Sequence, residues 1–139
     1  MVSAVSPGIF SVDATGTGVA AGSAVRVSAD GTQTQLSIGN CSGTPLVCTP
    51  TPIDLGGPTD TVYLSLYGTG IRGRSTLAGV FATIGGVTSN VLYAGSQLYF
   101  QGLDQVNLQI DPSLRGRGAV PIAVSVDGVA ANGVTVAIQ

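Results

Sequence analysis

The chain has 139 residues, five basic and seven acidic side chains, no histidine and a net charge of −2. Lys, Glu and Trp are absent as well, so every acid is Asp and every base is Arg, and charged residues amount to 9%, far below the usual quarter or so. No basic face exists for counterion release on DNA or RNA, and without His or Lys neither a Ser-His-Asp, a Cys-His nor a Ser-Lys nucleophile can be assembled.

Along the chain, period-two alternation predicts strand after strand. Residues 8–13, 24–29 and 34–38 read as the first three, with the hairpin dipeptide Asp30-Gly31 between the second and third. Residues 39–58, rich in Pro, Thr and Gly, read as one long loop. Val62, Leu64 and Leu66 then alternate with Tyr63, Ser65 and Tyr67. Strands follow at 79–84 and 89–93, separated by Gly85-Gly86. Val106, Leu108 and Ile110 alternate with Gln105, Asn107 and Gln109; Ile122, Val124 and Val126 alternate with Ala123 and Ser125. After Asp127-Gly128 the last run sets Val134, Val136 and Ile138 against Thr135 and Ala137. One greasy and one polar face per run is the mark of half-buried antiparallel strands. No window carries a helical stripe. Short strands at spacings of about eight to twelve residues predict an all-β antiparallel sandwich. With no internal repeat or linker, the chain reads as a single domain over residues 1–139.

Cys41 and Cys48, in NCSGTPLVC, lack the further Cys or His ligands a zinc site needs. They read as a disulfide tying the 39–58 loop, which implies an oxidising compartment and an extracellular or cell-surface location. MVSAVSPGIF has neither a charged start nor a long apolar core, so no signal peptide or membrane-inserting run is read there. An exported chain of this kind is expected to be one piece of a longer protein.

YGTGIRGR, residues 67–74, spells G-x-G-x-x-G after a strand. A dinucleotide fingerprint requires a helix after the glycines and an acid about twenty residues later. Neither is present: RSTLAGVFATIGG resumes strand character, and no acid lies between Asp60 and Asp104. A phosphate loop requires a Lys. The glycines are therefore expected to be turn residues with special backbone angles.

SPGIF, PIDLG, VYLSLYGTGIRG, ATIGG, VLYAG, GLDQVN, SLRGRG and VDGVAANGVTVAIQ form an ordered series. The series resembles the immunoglobulin-like C-terminal domain of large secreted proteins from acidobacteria and related soil bacteria. More distantly, the Tyr-Gly-Thr-Gly turn and its strands resemble the IPT/TIG sandwich of cell-surface receptors and glycanases. The resemblance covers residues 6–139. It implies an immunoglobulin-like β-sandwich acting as an extracellular accessory or adhesive domain, with upstream domains or neighbouring subunits as partners and no catalytic residues to carry over. LYFQG, residues 98–102, is similar to a common protease-cleavage sequence but lacks the Glu-Asn before it, and it runs into GLDQVN as native sequence.

Acid–base chemistry here would have to use Asp alone. Asp30 and Asp127 sit in hairpin turns, Asp13, Asp54, Asp60 and Asp111 beside Gly, Thr or Pro, and Asp104 before a strand. Turn roles are expected for nearly all, with no cofactor. Calcium is a lesser alternative, since no D-x-D-x-D-G run exists. Four of the five arginines fall in Arg72-Gly-Arg74 and Arg115-Gly-Arg117. They read either as anion clamps for acidic glycans or a partner's carboxylates, or as residues that pair with a nearby Asp or extend into solvent from a turn. If strands simply alternate in direction, the two triplets lie at opposite ends. Tyr63, Tyr67 and Tyr99 are candidate aromatic contacts for sugar rings or a neighbouring domain. Three readings compete: a non-catalytic accessory module, a carbohydrate-binding module, and a filament subunit whose residues 1–13 pair with a neighbour's sheet edge.

Overall fold

A computed structural model describes residues 5–139. In chain order the strands are β1 (Gly8–Ile9), β2 (Gly22–Val27), β3 (Gln33–Ser37), β4 (Gly39–Ser42), β5 (Val47–Pro50), β6 (Thr61–Thr69) and β7 (Val80–Ile84). They continue with β8 (Val87–Ser89), β9 (Val91–Ser96), β10 (Asp104–Ile110), β11 (Gly118–Val126), β12 (Val129–Ala130) and β13 (Val134–Ile138). Two single-turn 3-10 helices, Leu77–Gly79 and Pro112–Leu114, lead out of loops.

Eleven of these strands form two sheets, and β4 pairs only with β5 in a separate two-stranded one. The larger runs β3-β2-β6-β10-β9, with β1 extending alongside β6; the second runs β12-β11-β7-β8, with β13 also on β11. Every strand pairing within them is antiparallel. This is the expected all-β antiparallel sandwich. The long alternating runs build it: Val62, Leu64 and Leu66 of β6 and Val106, Leu108 and Ile110 of β10 face Ile122, Val124 and Val126 of β11 and Val134 and Val136 of β13 in one core. Each such side chain, fully buried, contributes about 1.5–3 kcal/mol, so the core rather than any single contact stabilises the domain.

Three segments depart from the sequence reading. Residues 8–13 are strand only at Gly8–Ile9, followed by an isolated bridge between Ser11 and Ala20. Residues 89–93 are not one strand. The chain leaves the second sheet after Ser89 and joins the larger one at Val91, so Asn90 is a corner between β8 and β9. The Ser89 hydroxyl donates to the Gln109 carbonyl (2.6 Å) and Gln109 N–H to the Asn90 carbonyl (3.0 Å), which fixes the corner. Residues 39–58 are not a single loop either: β4 and β5 form a hairpin with Cys41 directly opposite Cys48, their Cα atoms 4.0 Å apart in the disulfide. No residue of that hairpin joins the core.

The N-terminal segment is engaged within its own chain. Ser6 N–H donates to the Gly70 carbonyl, Phe10 N–H to Tyr67 and Val12 N–H to Val19. The free side of β1 is met by the Asn132 amide, which accepts from Ile9 N–H (2.8 Å) and donates to the Ile9 (2.8 Å) and Gly16 (2.7 Å) carbonyls. Donation of residues 1–13 to a neighbour therefore meets a segment already paired from residue 6 to residue 12; residues 1–4 lie outside the described part.

Candidate contact surface

Residues 67–74 turn the chain at the end of β6. Gly70 has φ +71, and a Cβ there would meet the Ser6 carbonyl oxygen at 1.9 Å. One on Gly68 would meet the Gly8 carbonyl at 2.2 Å. These glycines let the N-terminal segment lie against the end of β6, a close backbone approach as much as a turn.

The turn does present N–H groups to an anion, and that anion is the chain's own. Asp104, 1% exposed, accepts from the backbone N–H of Ile71 (2.8 Å) and of Arg72 (3.0 Å) through one oxygen. Its other oxygen accepts from Arg72 Nε at 2.6 Å. Reading Asp104 as merely the residue before a strand missed this. The available signal was parity: Asp104 shares the inward-facing register of Val106, Leu108 and Ile110, and an inward carboxylate requires donors.

The arginine triplets divide in function. Arg72 is engaged by Asp104 and by the Leu103 carbonyl (3.1 Å), and Arg74 Nε donates to the Ala94 carbonyl (2.6 Å). Neither is a free anion clamp. Arg115 and Arg117 are exposed and have no ion pair among the described residues. The triplets do lie at opposite ends: Asp104 pairs across from Gly68 at one end of β10, and Ile110 from Val62 at the other, where Arg115 lies beside Pro112 and Val62. No site unites all four.

Every Asp is tied into the scaffold. Asp13 accepts from the Thr15 hydroxyl and N–H and from Ser11, and these bonds, led by the Thr15 hydroxyl, lower its pKa. Asp30 and Asp111 accept from Thr32 N–H and Ser113 N–H, which likewise lower theirs. Asp54 and Asp60 accept from Gly56 and Gly57 N–H and flank Arg26 at 3.4 and 3.9 Å. Asp127 accepts from Ser75 N–H and hydroxyl, pinning the loop before β7 to the β11–β12 turn.

The outer face of the larger sheet has a different character. By alternation it carries Tyr63, Ser65 and Tyr67 on β6, opposite Gln109, Asn107 and Gln105 on β10. Ser23 and Val25 of β2 and Tyr93 of β9 continue the rows. No charged residue stands among them. At one end the β9–β10 loop projects Leu98, Tyr99 and Phe100, which are 85%, 87% and 66% exposed. The loop is nonetheless ordered from within, since Gln97 Oε1 accepts from the N–H of Tyr99 (2.7 Å) and of Phe100 (2.9 Å). Between loop and sheet lies an open hollow of about 250 Å³ lined by Tyr93, Gln97, Leu98, Tyr99, Gln105 and Asn107. Thus Tyr63 and Tyr67 share one face, while Tyr99 belongs to the loop at its rim. A larger hollow of about 550 Å³ beside Phe10 and Ala21 is mainly apolar, and its polar neighbours Ser11 and Thr15 are engaged by Asp13.

Compared with protein-family models, with curated proteins and with solved structures, the chain matches none.

Proposed function

We propose that this chain is a non-catalytic, extracellular immunoglobulin-like module of a larger secreted or surface protein, serving as an accessory or adhesive domain. One observation carries the reading: all seven Asp side chains accept hydrogen bonds that hold turns, loops or Arg in place. Acid–base catalysis requires a carboxyl aimed at a substrate with its pKa matched to the task. The carboxyls whose pKa is displaced are moved down, by turn contacts. The disulfide supports an oxidising compartment, and the charge-free outer face of the larger sheet is the surface suited to contact.

A second reading, carbohydrate binding, is favoured by the hollow at Tyr93, Tyr99, Gln105 and Asn107. Aromatic rings beside side-chain amides match the apolar faces and hydroxyls of a neutral sugar. The deciding experiment screens the chain against neutral and acidic glycans on an array, with hydrolysis of the same glycans followed in parallel. Turnover that copurifies with the chain would overturn the non-catalytic reading. Retention of a neutral glycan, lost on Tyr99→Ala or Asn107→Ala, selects the carbohydrate module. Silence in both leaves the accessory role, with contacts to protein.

A further inference from the structure

The sandwich protects its sheet edges unevenly. The outer edge of β13 is covered by two passing segments: Ala20 N–H donates to the Thr135 carbonyl and Ile53 N–H to the Ala137 carbonyl, with parallel bridges at Val19–Thr135 and Ile53–Ile138. On β9 the register directs the carbonyls of Ala94 and Ser96 away from β10, and both are capped by side chains, Arg74 and Tyr93. β8 is only three residues long. These are the usual ways of keeping an edge from pairing with a stranger.

β3 has none of them. Ser28 N–H donates to the Thr32 carbonyl (2.9 Å) in closing the β2–β3 hairpin. The register from there makes Arg26–Thr34 and Ala24–Leu36 the hydrogen-bonded pairs. The backbone N–H and C=O of Gln33, Gln35 and Ser37 therefore point away from β2. All three residues are exposed, and no other backbone group of the described residues bonds to them. The strand has no Pro, no charge and no register shift.

We propose that this edge pairs with the same edge of a second copy, antiparallel about a two-fold axis through Gln35, giving a closed dimer. The row of alternating donors and acceptors is complementary only to another extended backbone. A two-fold pairing sets Gln35 opposite its own mate and Gln33 opposite Ser37, so no like charges meet. It forms about six inter-strand hydrogen bonds. It also continues the charge-free outer face from one copy into the next, doubling the contact surface.

Sedimentation velocity over about 10 μM to 1 mM, a range that brackets a weak interface, tests the proposal. The expected result is a monomer–dimer equilibrium in which the Gln33, Gln35 and Ser37 amides gain hydrogen-exchange protection as concentration rises. Gln35→Lys sets two ammonium groups opposite each other and is expected to weaken the dimer about five-fold or more. Thr88→Lys adds the same charge at an exposed position of the other sheet and is expected to change nothing. A chain that stays monomeric throughout overturns the proposal and leaves the edge to an extended segment of another protein. So does a dimer indifferent to Gln35→Lys, whose β3 amides exchange freely.

Discussion

Arg72 and Asp104 meet at 2.6 Å with unequal exposure: the Arg72 side chain is 50% exposed, that of Asp104 2%. The pair is half a surface ion pair and half a buried anion site, and its two members are not equally replaceable. Removing Arg72 leaves Asp104 with the N–H groups of Ile71 and Arg72's position. Removing Asp104 leaves those donors without an acceptor, one of them on the fully buried Ile71. Asp104→Ala is expected to cost about 3–5 kcal/mol, and Arg72→Ala about 1–2 kcal/mol, since much of its charge stays in water. Urea unfolding of both variants checks the order. An Arg72→Ala loss equal to or above that of Asp104→Ala contradicts the anchoring role of the carboxylate.

The same turn tests why glycine stands at its centre. Gly70 and Gly102 both have positive φ, +71 and +76, but a Cβ on Gly70 meets the Ser6 carbonyl while one on Gly102 meets nothing within 4 Å. Gly102→Ala therefore isolates the backbone cost, about 1–2 kcal/mol. Gly70→Ala adds the clash and is expected to release the segment before β1. Thermal melts, with hydrogen exchange at Ser6 as the local probe, separate the two. Equal losses would mean the segment does not press on Gly70.

What could be read from the sequence, and what could not, follows from burial. β6, β10 and β11 were legible because each sets one face into the core, so alternation survives along their whole length. The β4–β5 hairpin left no pattern because it buries nothing in that core. The corner at Asn90 was hidden because the residues on either side keep strand character while changing sheets. At the site, exposure of Tyr99 and partnering of Arg74 depend on loop geometry that composition does not encode. Asp104 was readable by parity; Asn132, in the connection between β12 and β13, belongs to no alternating run and was not.

Asn132 stands in for a strand. Its amide completes the hydrogen bonding of Ile9 and reaches Gly16, joining the N-terminal segment to the break between β12 and β13. Asn132→Ala is expected to cost about 1.5–3 kcal/mol and to speed exchange of the Ile9 amide. Asn132→Asp is the sharper probe, because it aims a carboxylate oxygen at two carbonyls. That raises its folded-state pKa, so the variant regains stability as pH falls and its carboxyl becomes a donor. Stability of this variant that declines in parallel with the parent on acidification contradicts the assigned contacts.

Reduction of Cys41–Cys48 removes a short cross-link on a hairpin outside the core. By the chain-entropy model so small a loop is worth about 2–3 kcal/mol at most, and much of that is expressed as local fraying. Cys41→Ser with Cys48→Ser is expected to leave the β-sheet circular dichroism intact, lower the melting temperature modestly, and bring exchange of the β4–β5 amides toward the free-chain rate. Loss of all sheet signal on reduction would show that the core depends on the hairpin.

The absence of His and Lys gives the pH profile a simple form. With no His in the chain and both cysteines in a disulfide, the residue types whose ordinary pKa lies between about pH 5 and 8 are absent, and stability there is expected to be flat. Below that range the turn carboxylates act. Asp13, held down chiefly by the Thr15 hydroxyl, Asp30 by Thr32 N–H and Asp111 by Ser113 N–H, all have folded pKa values below the ordinary 3.8. A depressed folded pKa means the unfolded chain binds the proton first. The contribution of each is thus complete above the ordinary value and is lost as pH falls through the lowered one. The urea midpoint is expected to hold down to about pH 4–5 and then decline. Replacing all three by Asn, which keeps the turn acceptor but not the charge, is expected to flatten the decline. An unchanged acid slope in that variant would assign it to the remaining carboxylates instead.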